Sequence, residues 1–329
     1  MKKLFVSVFA ALAMLSGTAF AADVKIGFQL TYTPIKAQFD AIKNGALGKS
    51  VEFIQFNSGG DVINAIASGA IDISLNGSSP TAAGYSRGID IQVIYIYDNI
   101  NDAEALVVRN GSGIVAPQDL KGKKIAVPFG STTHFHMMFA LEQFGLSPRD
   151  LEVLDMSPPD MVAAWERGDI DGGFVWDPAL GKMKGEGHVL LTSGHLSNWG
   201  KATFDAMVAR AEFTKANPEF TCKFIKMVAE ADADYRSNPN DYGPGTEKAK
   251  AIAKVVGGDH TQVAGVLALY DFPTLEQQVS ATWLGGGVAS ALKATSQFLM
   301  EQGKIDKVLD SYDSGADATY AKMALDGGC

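Results

Sequence analysis

Short apolar runs alternate with segments of helical period along the first two thirds of the chain, the pattern of strands covered by helices. Runs at 24–30, 51–56, 71–75 and 91–97 predict strands. Between them, 34–43, 58–68 and 80–87 predict helices. The first is entered through Pro34; the second is capped by Ser58, carries Asp61 in its opening turn and closes at Gly69. A strand at 105–109 leaves this unit, and Pro117 to Leu120 leads into a second series of strand 124–128, helix 133–144, strand 151–155, helix 160–167 and strand 170–176. Strands at 189–192 and 204–210 follow. From Ala211 the chain is mostly helical, with amphipathic stretches at 218–236, 246–256, 275–278 and 289–301 between Gly, Pro and Asn breakers, which predicts packing against the first unit.

The two series are copies. Lys25-Ile26 recurs 99 residues later as Lys124-Ile125, Ser58 as Ser157, Asp61 as Asp160, Ala65 as Ala164, Gly69 as Gly168, and Ile71-Asp72 as Ile170-Asp171. Duplicated βαβ units with parallel strands imply an α/β protein of two similar lobes, with a ligand cleft between them. The chain crosses between lobes near Glu104 and again near Asp205, which places residues 22–104 and 206–329 in lobe I, 105–205 in lobe II, and a two-crossing hinge between them.

Composition narrows the setting. Lys2 and Lys3 precede an apolar run to Leu15 and then Ala19-Phe20-Ala21, a signal peptide over 1–21 with a small-residue cleavage site. The mature chain is therefore expected to be soluble and exported to the periplasm. A hydrophobic fraction of 47% suffices for two cores. Without Lys2 and Lys3 the formal charge of -9 becomes about -11, which argues against nucleic acid or an anionic membrane as partner. The two cysteines, Cys222 and Cys329, leave two readings open: a disulfide tying down the tail, or a buried thiol and a loose end.

Candidate chemistry lies in the loops beyond the strands. Gly77-Ser78-Ser79-Pro80 and Ser131-Thr132-Thr133 each follow a strand and open a helix, so Ser78, Ser79, Ser131, Thr132 and Thr133 offer hydroxyls and free N–H groups to an anion. Each is also an ordinary helix cap when taken alone. Glu104 and Asp205, at the crossings, are carboxylates on the cleft floor and want a cation, unless an Arg or Lys neighbour satisfies them. An anion site beside an ammonium site describes a small zwitterion. An enzyme needs a nucleophile, base, cofactor or metal constellation. His134 and His136, two apart on a helix, face different ways, and Asp171 matches Asp72 of the other copy, so a structural turn role is expected for it; no cofactor and no metal are predicted.

Three segments carry a resemblance: Val127-Pro128-Phe129-Gly130-Ser131-Thr132-Thr133-His134, Arg167-Gly168-Asp169-Ile170-Asp171-Gly172-Gly173-Phe174-Val175-Trp176-Asp177-Pro178, and Glu104-Ala105-Leu106-Val107-Val108. With Asn76 to Pro80 and Gln297 to Lys304, they make nearly the whole mature chain similar to the periplasmic taurine-binding proteins of ABC transporters, within the sulfonate, nitrate and taurine family. The resemblance implies a type II periplasmic binding fold with two parallel-rich sheets, a monomer that closes on taurine and delivers it to a membrane permease with its cytoplasmic ATPase. It implies Ser79, Ser131 and Thr133 on the sulfonate, Glu104 and Asp205 on the ammonium, and Trp176 as a wall. The loop Gln29 to Pro34 departs from the family pattern; its Tyr32 is either a lid aromatic or a packed loop residue. General aliphatic sulfonate binding is the main alternative, with nitrate or thiamine-precursor binding, or an enzyme on the same fold, behind it.

Overall fold

The computed structural model describes residues 22–329; the expected signal peptide at 1–21 lies outside the described residues. Ten strands are seen: β1 (Val24–Phe28), β2 (Val51–Gln55), β3 (Ile73–Gly77), β4 (Ile91–Asn99), β5 (Glu104–Arg109), β6 (Lys124–Val127), β7 (Glu152–Asp155), β8 (Gly172–Trp176), β9 (Gly187–Thr192) and β10 (Phe204–Arg210). They form two five-stranded sheets, ordered β2-β1-β3-β10-β4 and β7-β6-β8-β5-β9. β1 runs parallel to β2 and β3, and β6 parallel to β7 and β8. The fourth strand of each sheet is the one that arrives from the other lobe, and it runs antiparallel to both neighbours. Parallel-rich sheets were expected, and the antiparallel strands are the ones at the crossings. The sheets are mixed because the chain enters each at the end where it left the other.

The repeated residues do the same work twice. Ser58 and Ser157 each accept the N–H of the acid three residues on, Asp61 and Asp160. Asp72 accepts the Lys25 N–H through Oδ2 at 2.9 Å, and Asp171 accepts that of Lys124 at 2.9 Å, fixing the start of β1 and β6. Asp72 and Asp171 thus play the same structural part in the two copies, holding the start of an inner strand, where a structural turn role was expected.

One core lies under the first sheet and includes Ile26, Val62, Ile96, Met207 and Phe224. Two cores flank the second sheet, around Phe135 and Phe174 and around Trp165 and Leu180. The late helices pack mainly on the first sheet. The end of the helix Gly287–Glu301 reaches further: Phe298 meets Phe135 at 5.0 Å, and Leu299 and Ile305 join the same core of the second sheet. Cys222 and Cys329 form a disulfide, Cα atoms 5.7 Å apart, that ties the chain's end to the helix Pro218–Ser237. Among the described residues no helix is long and apolar enough to cross a membrane.

Three segments differ from the expected helices, one of them the helix Ala179–Lys184 after β8, where none was expected. Residues 34–43 begin as a 3-10 turn, Pro34–Gln38, before one turn of α-helix. A short helix at Ser193–Asn198 follows β9, where none was expected, opened by a capping box between Thr192 and His195.

Candidate functional site

Because β5 and β10 run antiparallel to their neighbours, their first residues stand where parallel strands end. Glu104 pairs with Trp176, the last residue of β8, and Asp205 pairs with Gly77, the last of β3, and with Asp98 of β4. The helix Ser78–Ser86 starts at the end of β3, and the helix Thr132–Gln143 starts shortly after β6. Carboxylates and helix N-termini are therefore brought to one place, beyond the carboxyl ends of the parallel strands of both lobes.

A narrow pocket lies there, leaving about 20 Å³ for the centres of water-sized atoms. Five of the residues expected at the site line it: Glu104, Ser131, Thr132, Trp176 and Asp205. Gln29, Thr31, Gly59, Gly77, Pro80, Ile100 and Tyr270 complete the wall. Trp176 and Gln29 also border a roomier chamber of about 230 Å³ lined by Leu30, Phe56, Pro158 and Val162.

Four expected residues sit behind the lining. Ser78 accepts the Phe204 N–H at 3.4 Å, and Ser79 is buried beside it in the same helical turn. Thr133 is buried with its hydroxyl 2.7 Å from that of Ser131. Tyr32 packs in a separate cluster with Tyr242, Ile252 and Val256, the packed-loop reading of that residue.

The electrostatics follow from burial. Glu104 is 4% exposed; Thr132 Oγ1 contacts its Oε1, and Ser193 Oγ lies 3.0 Å from its Oε2. Burial pushes its carboxyl up to about 8, against the pull of those hydroxyls. Burial raises Asp205 to about 7, opposed by the charge of Lys36. Asp98, wholly buried, has neither carboxylate oxygen hydrogen-bonded among the described residues, and burial with Asp205 nearby lifts it well above the carboxylate range.

Lys36 is the cation within this acidic group. It is 1% exposed, and its Nζ donates to the carbonyls of Gln29, at 2.8 Å, and Thr31, and to Thr31 Oγ1 at 3.3 Å. Burial drags it down to about 7, with Asp205 and Asp98 opposing. It thereby folds the Gln29–Thr31 loop against the pocket. Sequence reasoning singled out the Gln29–Pro34 loop but gave Gln29 and Thr31 no role of their own, and it missed Lys36, Asp98, Tyr270 and Ser193. Only Ser193 had a local signal, the Thr192-to-His195 capping box.

The Ser131 hydroxyl donates to the Pro128 carbonyl at 2.6 Å and accepts from the His134 N–H at 3.1 Å. His134 Nδ1 accepts from Gly130 N–H, and its ring stacks on Phe129 at 4.4 Å. Neither residue forms a nucleophile–base pair. Among the described residues no group of three or more His, Cys, Asp and Glu is placed to hold a metal.

Two mixed sheets of one topology, exchanging strands at two crossings and enclosing a polar pocket where they meet, make this a two-lobed binding protein of the periplasmic type. The solved alkanesulfonate-binding protein SsuA from Xanthomonas axonopodis pv. citri, bound to MOPS, shares that fold: TM-score 0.71 and 22% identity, covering 87% of this chain and 95% of that one. The family described as NMT1/THI5 like matches residues 47–242, and the chain belongs to it. It is 36% identical to the taurine-binding periplasmic protein of Escherichia coli (strain K12), over 95% of this chain and 97% of that protein. It is 27% identical to a putative aliphatic sulfonates-binding protein of Bacillus subtilis (strain 168), over 92% of this chain and 88% of the relative.

Proposed function

We propose that this chain is the substrate-binding component of an ABC importer, that it works in the periplasm, and that its ligand is taurine, 2-aminoethanesulfonate. The observation that carries the reading is the meeting of two buried carboxylates, Glu104 and Asp205, in one narrow pocket beside the start of a helix at Ser131 and Thr132. The acids take the ammonium. The first-turn N–H groups take the sulfonate, where the helix dipole favours negative charge. A plain alkanesulfonate brings no ammonium to either acid and forgoes that charge-assisted contact.

The likeness to the taurine-binding relative supports the same choice. Lobe I, 22–104 with 206–329, and lobe II, 105–205, close on the ligand about the crossings at Glu104 and Asp205, and the closed shape is what the permease and its ATPase recognise. The protein binds and releases without catalysis: the proton of Ser131 is committed to a backbone carbonyl.

Calorimetric titration of the mature protein, freed of carried-over ligand by unfolding and refolding, tests this with taurine, ethanesulfonate and β-alanine. Tight binding of taurine alone is expected. A preference for ethanesulfonate would make it a general sulfonate binder, and silence with all three would overturn the reading.

A further inference from the structure

We propose that Glu104 and His136 hold one proton between them through Ser193, and that a cationic ligand at Glu104 drives this proton onto His136. The proposal rests on the taurine reading in needing an ammonium at Glu104.

His136 lies on the helix Thr132–Gln143, fully buried. Its Nε2 is 2.7 Å from the Lys201 carbonyl, and its Nδ1 is 2.7 Å from Ser193 Oγ. Ser193 Oγ is in turn 3.0 Å from Glu104 Oε2. A carbonyl only accepts, so Nε2 carries a proton. Two arrangements then satisfy every contact. In the first, His136 is neutral, Nδ1 accepts the Ser193 hydroxyl, and the contact from Ser193 to Glu104 requires the proton on Oε2. In the second, Glu104 is a carboxylate accepting from Ser193, and Nδ1 must donate to Ser193, which makes His136 an imidazolium. Both contain the same number of protons. Passing from the first to the second breaks the Oε2–H bond, hands the Ser193 proton to Nδ1 and replaces it with the one from Glu104.

The surrounding charges decide between them. Asp205 on β10 and Asp98 on β4 face Glu104 from the first sheet, with Lys36 on the opening 3-10 turn as the cation near those two acids. Thr132 faces it from the helix that carries His136, and Tyr270 borders the same pocket. Lys201 offers His136 only its carbonyl, because its ammonium lies over the rings of Phe139 and Phe298, at 5.8 and 5.4 Å. His134 turns to Gly130 and Phe129. With no cation at Glu104, neighbouring acids and burial favour the neutral pair, in keeping with a Glu104 carboxyl near 8 and a His136 held down to about 4 by burial. An ammonium against Glu104 reverses the balance, since the carboxylate then has a partner. The site ionises for its ligand without waiting for solvent to take the proton.

Histidine-selective nitrogen NMR on the full mature chain reads the step directly, with His136→Gln used to assign the resonance. At pH 7 the free protein is expected to show His136 as the Nε2–H tautomer, and taurine, but not ethanesulfonate, is expected to protonate Nδ1. An unprotonated Nδ1 with taurine bound overturns the proposal. Absence of any taurine heat in the calorimeter overturns the taurine reading and the ligand-driven step with it, and is seen separately from the histidine spectrum. A second measurement is the proton count of taurine binding in buffers of different protonation heat. Glutamine can hydrogen-bond but cannot take the proton, so His136→Gln is expected to release about one proton more than the wild type and to lose taurine affinity by about tenfold per pH unit below neutrality. A purely structural role for His136 would change affinity and leave the proton count alone; equal counts in the two proteins overturn the relay.

Discussion

Glu104 and Asp205 are the first and second residues of the two strands that the lobes exchange, and each stands opposite the last residue of a parallel strand: Glu104 opposite Trp176, Asp205 opposite Gly77. The connectivity that makes the hinge therefore also delivers both carboxylates to the mouth of the parallel strands. They differ in their company. Glu104 is held by hydroxyls of Thr132 and Ser193, whereas Asp205 has the charge of Lys36 nearby.

Glu104→Gln and Asp205→Asn keep the volume and remove the charge. A hydrogen bond to a charged group is worth about 1.5–3 kcal/mol, so each change is expected to weaken taurine roughly 10- to 150-fold. Ethanesulfonate, which has no ammonium, should lose little. Calorimetry with both ligands decides: equal losses for the two would remove the residue from the ammonium site.

Much of this arrangement is written locally in the chain. Serine caps, acid clamps and closing glycines recur at a fixed offset, and each copy builds the same contact, as with the N–H of Lys25 on Asp72 and of Lys124 on Asp171. Glu104 and Asp205 are readable because crossings are short and fall between recognisable strands. Strand direction is not readable, since an apolar run looks the same whichever way its neighbours point, so the antiparallel insertion of β5 and β10 was hidden. Lys36 was hidden for a related reason. One lysine in a short helical turn is ordinarily solvated, and its burial depends on Asp98 and Asp205 arriving from distant strands. The hydroxyls were found but not their protons: Ser131 and Thr133 look alike as anion donors, yet one is spent on Pro128 and the other meets Ser131.

The buried acids give stability a pH dependence of definite sign. Glu104, Asp205 and Asp232 are raised to about 8, 7 and 8, mainly by burial, so the folded state binds protons more tightly than the unfolded chain. Their contribution is fully present below the unfolded carboxylate range, near pH 4, and is lost as pH rises through the folded values. Lys36, lowered to about 7, acts the other way, its contribution present above its unfolded value and lost as pH falls to 7. The melting temperature of the ligand-free protein is therefore expected to fall between pH 5 and 7.5, and Glu104→Gln should flatten that slope. A melting temperature that rises over this interval in the wild type would contradict the burial of charge described here.

The disulfide joins residues 107 apart in sequence within the first core, and neither cysteine lines the pocket. Closing a loop of that length is worth about 3–5 kcal/mol, on a scale where the mechanism is model-dependent. Replacing Cys222 and Cys329 together by serine should lower the unfolding free energy from urea titration by that amount while taurine affinity at 25 °C stays within about twofold. A large loss of affinity with intact stability would mean that the tail reaches the site.

Gly77 reports on closure itself. Its backbone, at φ -66° and ψ 153°, suits any residue, so alanine there carries no conformational penalty. A Cβ at Gly77 would stand 2.8 Å from Thr132 Cγ2, and Thr132 belongs to the other sheet's helix. The contact therefore exists only while the lobes are together. Gly77→Ala is expected to wedge the cleft and weaken taurine and ethanesulfonate alike by about 1–3 kcal/mol, the usual range for overpacking. The melting temperature of the free protein should change little, because the open form can relieve the clash by separating the lobes. Calorimetry alongside a thermal melt distinguishes the outcomes: a loss confined to taurine would move the contact into the ammonium site, and unchanged binding of both ligands would mean that Thr132 yields without opening the cleft.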